Sequence, residues 1–404
     1  MNRRPRLLLV SPRFLFPANE GGKIRTSNIL RHMKGGAFEL VLASPAPADA
    51  SAFAQDIAAV CDSFRSWPAG VPSRLRRLLA LAAPVPVSVA TDRSKAGRIA
   101  ITGALAELPD VVVVDFPHTT ALLPESIDCA SVIFTHNVEA EIFERHAQLT
   151  GGAWRLIWRN QARKMRTFEQ ASLRRFDTVI AVSSRDAAAL AQRYRLSGVE
   201  QIDTGVDLDF FRATPPVARP GGGAIVFTGA MDSPANIDGV SFLMNEIWPI
   251  VARARPDTGA VIVGRRPPAS LVAAARERGF AWRFTGLVDD IRPYVAAAQI
   301  SVIPLRIGSG TRIKAFEAMA MGRPVVSTRV GVEGLDIAPG QHFLAADEPG
   351  EFAGAILRLL DDPALGEALA GEARARLEER FSWAHVARQL EAICLRALAR
   401  KSLG

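Results

Sequence analysis

Short β-branched runs bounded by Pro, Gly or Asp recur along this chain, separated by helix-like stretches. In the first half they are "RLLLVSP" (6–12), "FELVLASP" (38–45), "DVVVVDFP" (110–117), "SVIFTHN" (131–137) and "DTVIAVSS" (177–184). In the second half they are "AIVFTGA" (224–230), "AVIVGRR" (260–266), "WRFTGL" (282–287), "ISVIPLR" (300–306) and "PVVSTRVG" (324–331). Apolar runs without alternation predict strands covered on both faces, as in parallel sheets. Their regular alternation with helical stretches predicts an α/β chain with crossover helices.

With 404 residues and roughly 100–200 residues per domain, two domains are expected. Between the halves, "FFRATPPVARPGGG" (210–223) breaks any regular element and reads as a linker. The two halves then read as two doubly wound domains. The last amphipathic stretch, "FSWAHVARQLEAICLRALAR" (381–400), has no strand after it and either caps the second domain or crosses back to the first.

Charge and cysteine usage narrow the class. A net charge of +8 favours acidic partners such as phosphates or an anionic membrane. Cys61, Cys129 and Cys394 are scattered, which argues against a disulfide framework and suits a reducing compartment. "MNRRPRLLLVSPR" lacks the long apolar core of a signal peptide, and "LLALAAPVPVSVA" (78–90) is too short to span a bilayer. The expectation is a cytoplasmic protein, with a peripheral position on the inner face of the plasma membrane left open.

"GSGTRIKAFEAMAMGRPVV" (308–326) carries two local misfits. The turn follows the strand "ISVIPLR" and opens a helix, the place where ligands bind in open α/β sheets. Helix N-termini already carry partial positive charge, and Arg312 and Lys314 add to it, which a docked anion such as phosphate would resolve. Glu317 shares a helical face with Ile313, Ala320 and Met321, so a carboxylate points inward. Either Lys314 or a distant Arg pairs with it, or it accepts hydrogen bonds from sugar hydroxyls. The second choice, combined with the anion site, describes a nucleoside diphosphate.

That segment, continued to "VSTRVGVEGL", resembles the donor-binding signature of retaining GT-B glycosyltransferases, specifically glycosyltransferase family 4 (group 1). "FLFPANEGGKIRTSNILRHM" (14–33) is similar to the family's N-terminal glycine loop, and "FTHNVEAEIFER" (134–145) to its histidine loop. "VSSRDAAAL", "DTGVDLDFF" and "VFTGAMDSPANIDGVSFL" follow in family order, so the likeness covers nearly the whole chain.

The resemblance implies two Rossmann-like domains facing across a cleft: an acceptor-side domain at 1–215, with the helix 383–404 packing back on it, and a nucleotide-sugar domain at 222–382. It implies that Glu317 holds the ribose hydroxyls. Arg312 and Lys314, with backbone N–H groups around Gly310 and Thr311, would hold the diphosphate, and a backbone or hydroxyl contact from Ser309 would meet the donor sugar. Gly229, Gly331, Glu333 and Gly334 would line the same pocket. Gly21 and Gly22, beside Lys23 and Arg25, would let backbone approach a phosphate, or form an ordinary flexible loop. His136 would touch the transferred sugar or the diphosphate. No metal and no cofactor are expected, and the other histidines are dispersed. "DLD" at Asp207–Asp209 reads as a loop or helix cap rather than a metal pair.

Two departures stand out. Ser309 occupies the position, eight before Glu317, where the commoner family pattern has a glutamate. "TGAMDSPANIDG" has no Arg or Lys between Gly229 and Gly239, which leaves Arg312 and Lys314 as the expected main cations of the second domain. The implied reaction is retaining transfer from a UDP- or GDP-sugar to an acceptor hydroxyl, in polysaccharide or lipid-linked glycan synthesis, without a protein general base. A nucleotide-sugar epimerase, a non-catalytic nucleotide-sugar-binding protein, a dinucleotide oxidoreductase and a nucleic-acid binder are the alternatives. The oxidoreductase fits worse, since "SPRFLFPANEGG" is not a dinucleotide fingerprint, and nucleic-acid binding through the arginines ranks last.

Two basic, apolar stretches are left over. "WRLIWRNQARKMRTFEQASLRRF" (154–176) puts Arg155, Arg159, Arg163 and Arg166 on one stripe, and "SRLRRLLALAAP" (73–84) is the second. They read either as solvated arginine faces or as contacts to an anionic membrane or a lipid-diphosphate acceptor.

Overall fold

The computed structural model describes residues 3–18, 20–70, 73–212, 224–307 and 312–403. Among the described residues, thirteen strands form two sheets. The first holds β1 (Arg6–Val10), β2 (Glu39–Ala46), β3 (Ser63–Pro68), β4 (Val111–Asp115), β5 (Ala130–Phe134), β6 (Thr178–Ala181) and β7 (Val199–Gln201). Its spatial order is β3-β2-β1-β4-β5-β6-β7, with every pair parallel. The second holds β8 (Ile225–Thr228), β9 (Ala260–Val263), β10 (Trp282–Phe284), β11 (Ile300–Ile303), β12 (Val325–Ser327) and β13 (Leu344–Ala345). Its order is β10-β9-β8-β11-β12-β13, again all parallel.

The apolar runs do what a doubly covered sheet requires. In β1 and β4, Leu7, Leu9, Val111 and Val113 enter one core, while Leu8, Val10, Val112 and Val114 enter the core on the other face. The second sheet divides likewise, with Ile225 and Phe227 on one side and Val226, Val261 and Val263 on the other. Strands with one polar face could not supply both layers, which is why the sequence shows runs rather than alternation.

Chain contacts divide the molecule into two units, Met1–Thr204 with Trp383–Gly404, and Gly205–Ser382. The division falls at Thr204, ahead of the Pro/Gly stretch, of which residues 213–223 lie outside the described residues. The final helix, Trp383–Leu403, belongs to the first unit. Its Trp383, Val386, Leu390, Ile393 and Cys394 share a core with Leu30 and Met33 of the helix Gly21–Met33. Glu391 accepts a hydrogen bond from the Ala37 N–H at 2.7 Å, and Gln389 one from Asp203 N–H at 3.1 Å.

Each strand order reverses direction once, between β1 and β4 in the first sheet and between β8 and β11 in the second. The carboxyl ends of strands beside such a reversal leave a crevice that neighbouring crossovers do not fill. Asp115 closes β4 and Gly22 follows β1, while Gly229 follows β8 and the helix Ile313–Ala320 follows β11.

Candidate active site

In the first unit a buried polar chain sits beyond β1, β4 and β5. Asp115, 1% exposed, accepts hydrogen bonds from Thr26 Oγ1 at 3.0 Å, Ser11 Oγ at 3.4 Å and His136 Nε2 at 2.5 Å. Arg25 Nη1 lies 3.0 Å from His136 Nδ1, and its Nη2 donates to Thr204 Oγ1 at 2.9 Å. A guanidinium can only donate, so Nδ1 is the acceptor and the imidazole proton resides on Nε2, facing Asp115. The ring is therefore neutral. Burial holds its pKa below the ordinary histidine value, Asp115 pulls upward, and Arg25 pushes further down. Burial likewise lowers Arg25 to about 10, against the pull of Asp115 and Asp186.

Aromatic rings fix the imidazole in plane. Phe116, held at φ 65°, stacks on His136 at 4.0 Å between ring centres, and Phe134 lies at 4.5 Å. Gly22 is required by this stack, because a Cβ there would come within 2.8 Å of Phe116 Cζ. Gly21 and Gly22 open the helix Gly21–Met33, whose first turn carries no acidic residue. Arg25 turns inward to the histidine, leaving Lys23 as the half-buried cation of the glycine loop. His136, 4% exposed, offers a ligand no free ring nitrogen in this arrangement.

The second unit holds the other cluster. The helix Ile313–Ala320 begins with Arg312 at its N-cap. Lys314 Nζ donates to Asn236 Oδ1 at 2.9 Å and lies 4.4 Å from the centre of the Phe227 ring in β8. Burial lowers its pKa to about 7, partly opposed by Glu317 and reinforced by Arg312. Glu317, half-buried one turn later, is raised to about 7 by desolvation, which the Lys314 charge only partly offsets. Each charge is under-compensated by its surroundings, the condition that a bound anion and hydrogen-bond donors would relieve. Gly229 makes room for the arrangement, since a Cβ there would stand 2.8 Å from both Asn236 Nδ2 and Lys314 Nζ.

Arg312 is 7% exposed, and its Nε donates to the Val330 carbonyl at 3.0 Å. It thus ties the helix start to the short turn Val330–Val332 that carries Gly331. Gly331 is buried, whereas Glu333 and Gly334, with φ 83°, are exposed. Gly308, Ser309, Gly310 and Thr311 lie outside the described residues.

Several members of this cluster were not foreseen. Asn236 lies in the helix Pro234–Phe242 and Phe227 within β8, and only the fold brings them to Lys314. Two more cations stand by the Gly229 loop. Arg265 and Arg266 follow β9, and the Met231 N–H bonds the Arg265 carbonyl at 2.9 Å, which fastens them to the Gly229 loop. Both reach Asp232, at 3.2 and 3.3 Å, while remaining largely exposed. The "DLD" segment is a turn, with Asp207 Oδ1 accepting from the N–H of Asp209 and of Phe210 at 3.2 and 2.8 Å. Among the described residues no group of three or more His, Cys, Asp or Glu could hold a metal ion, and no helix is long and apolar enough to cross a membrane.

Residues 20–210 match the family described as "Glycosyltransferase Family 4", and residues 222–362 match "Glycosyl transferases group 1". The chain belongs to the family 4, group 1 glycosyltransferases. Within this family it is 30% identical to a D-inositol 3-phosphate glycosyltransferase 2 from Catenulispora acidiphila, over 52% of this chain and 54% of that protein. It therefore spans about half the length of that relative. It is 27% identical to the lipopolysaccharide core biosynthesis mannosyltransferase LpsB of Rhizobium meliloti, over 84% of this chain and 97% of that one. The structure of Anabaena HepE in complex with UDP-glucose superposes with a TM-score of 0.66 at 15% identity, covering 96% of this chain and 99% of that one. The family 4 chain described here has the GT-B fold, two parallel sheets flanked by helices.

Proposed function

We propose that this protein transfers a glycosyl residue from a nucleoside-diphosphate sugar to a hydroxyl of a glycan acceptor, with the anomeric configuration retained. The observation that carries the reading is the cluster Lys314, Asn236, Phe227 and Glu317 at the reversal point of the second sheet. In it, Lys314 receives the diphosphate and Glu317 accepts from the ribose hydroxyls. Arg312 ties the start of that helix to the Val330–Val332 turn, Gly310 and Thr311 are assigned to the phosphates and Ser309 to the donor sugar, and Gly229 gives the diphosphate close access to backbone. Arg265 and Arg266 add charge once they exchange Asp232 for phosphate. Gly331, Glu333 and Gly334 border the donor. His136 lies in the first unit with Gly21 and Gly22, and with both ring nitrogens engaged it braces Arg25 and Asp115.

Catalysis in this reading is stabilisation of the departing diphosphate by preorganised donors and cations. The donor's own phosphate takes the acceptor proton, so no protein base and no metal is required. The names of the relatives support a sugar or sugar-phosphate acceptor, and HepE, solved with UDP-glucose, supports a UDP-sugar donor. We assign the acceptor to cell-surface polysaccharide or lipid-linked glycan synthesis at the cytoplasmic face of the membrane.

Thermal-shift screening against UDP- and GDP-sugars, followed by product analysis with and without EDTA, tests the reading. One nucleotide sugar should raise the melting temperature, and Lys314→Ala should lower turnover at least about 100-fold, the scale of removing one transition-state donor. Stabilisation by no nucleotide sugar, or release of an isomerised sugar nucleotide without acceptor, would overturn it.

A further inference from the structure

Among the described residues, large hydrophobic side chains left exposed concentrate on two stretches of the first unit. In the helix Arg74–Ala80, Leu75, Leu78 and Leu79 are 67%, 64% and 68% exposed. Their spacing of three and one puts all three on one stripe, so the helix turns its apolar face outward and buries Ala80 alone. At the start of the helix Gly152–Leu173, Trp154 and Leu156 are 66% and 67% exposed. Two hydrogen bonds join the stretches. Lys164 Nζ donates to the Leu81 carbonyl at 2.7 Å, and the Val87 N–H donates to Gln161 Oε1 at 2.8 Å.

Charge accompanies this apolar surface with one sign. Residues 73–91 and 150–168 contain Arg74, Arg76, Arg77, Arg155, Arg159, Arg163, Lys164 and Arg166, and no Asp or Glu. Arg76 is spent on the Arg93 carbonyl and Arg166 on Glu144. Arg74, Arg77, Arg155, Arg159 and Arg163 are exposed and form no ion pair among the described residues. Unburied leucines and tryptophan beside unneutralised arginines are the composition of an interfacial element, which places apolar side chains at headgroup depth and cations on lipid phosphates.

We propose that this surface docks the protein on an anionic lipid bilayer, with Leu75, Leu78, Leu79 and Trp154 entering the interface and Arg74, Arg77, Arg155 and Arg159 contacting headgroup phosphates. The proposal concerns lipid binding and not transfer, so its failure is distinguishable from failure of the glycosyl-transfer reading.

The test is flotation of the full chain with vesicles of phosphatidylcholine alone and of phosphatidylcholine with phosphatidylglycerol. Anionic vesicles should bind at least about tenfold more protein than neutral ones. The combined Leu75→Ser, Leu78→Ser, Leu79→Ser variant should lose most of that binding, with thermal denaturation unchanged because these side chains are already in water. Arg74→Glu with Arg77→Glu should weaken binding by about fivefold or more per charge, from roughly 1 kcal/mol for each cation near the surface. Equal binding to both vesicles, or to neither, would overturn the proposal. So would a wild-type dimer that the leucine variant converts to monomer, since a second copy would then be the occupant.

Discussion

The ammonium of Lys314 donates to Oδ1 of Asn236 at 2.9 Å while lying 4.4 Å from the centre of the Phe227 ring. One neutral amide and one aromatic face hold a cation whose pKa burial has brought down to about 7. A nucleotide-sugar diphosphate is fully ionised near neutral pH, so its affinity should follow the protein groups. Rising pH discharges Lys314, and falling pH protonates Glu317, also near 7, which costs the ribose its acceptor. Calorimetric titration with UDP-glucose should show tightest binding near neutrality and decline on both sides, approaching about tenfold per pH unit on each limb. Glu317→Gln should abolish the acidic limb and leave the alkaline one. A flat profile in the unsubstituted protein would sink the assignment.

Without ligand, the same pair should depress stability around neutrality. Glu317 binds its proton more tightly in the folded chain than in the unfolded one, so its contribution falls as pH rises from about 4.5 to about 7. Lys314 releases its proton more readily when folded, so its contribution recovers as pH rises from about 7 towards 10.5. Urea denaturation across this range should show a shallow minimum that Lys314→Met with Glu317→Gln removes.

Asn236→Ala removes the hydrogen-bond acceptor that orients the ammonium. A hydrogen bond to a charged group is worth about 1.5–3 kcal/mol, so affinity for the nucleotide sugar should fall by at least about tenfold. The remaining cation stays over Phe227, so Lys314→Ala should weaken binding further than Asn236→Ala does. Equal affinity for Asn236→Ala and the parent protein would show that the amide does not position the lysine.

How much of this was readable beforehand depended on burial. Strands β1, β4, β5, β8, β9, β11 and β12 are covered on both faces and announce themselves as apolar runs. The edge strands β3, "SFRSWP", and β7, "VEQ", half face water, and their polar residues hid them. Lys314 and Glu317 were legible because a cation at a positive helix end and an inward carboxylate are misfits in any local account. Asn236, Arg265 and Arg266 violate nothing locally, and the parallel pairing of β8 with β9 and β11 is what brings their loops together. The inward turn of Arg25 was hidden for the same reason, because its partners His136 and Thr204 lie far along the chain.

Gly22→Ala tests the aromatic stack. The added methyl would meet Phe116 Cζ at 2.8 Å, and the ring cannot retreat because it rests on His136 at 4.0 Å. Alanine in a helix is favoured over glycine by about 1 kcal/mol, whereas overpacking a filled site costs about 1–3 kcal/mol. Net destabilisation up to about 2 kcal/mol is expected in urea unfolding, and Phe116→Leu in the same chain should recover the helix gain. A stabilised Gly22→Ala single variant would show that the ring is free to move.

Asp115 is the anchor of the first-unit network, and its removal should cost more than that of His136. Asp115→Ala leaves the His136 Nε2–H, Thr26 and Ser11 hydroxyls without their common acceptor and Arg25 without its nearest counter-charge. Each buried donor left without its acceptor costs about 1–3 kcal/mol. His136→Ala removes the link between Arg25 and Asp115 but leaves both charges in place. If the three act as one unit, the double variant Asp115→Ala with His136→Ala should fall short of the sum of the singles by about 1–3 kcal/mol. Chemical denaturation of the four proteins measures this coupling directly. Additive losses would mean that His136 and Asp115 are neighbours without cooperation, and that the histidine is oriented by its stacking on Phe116 alone.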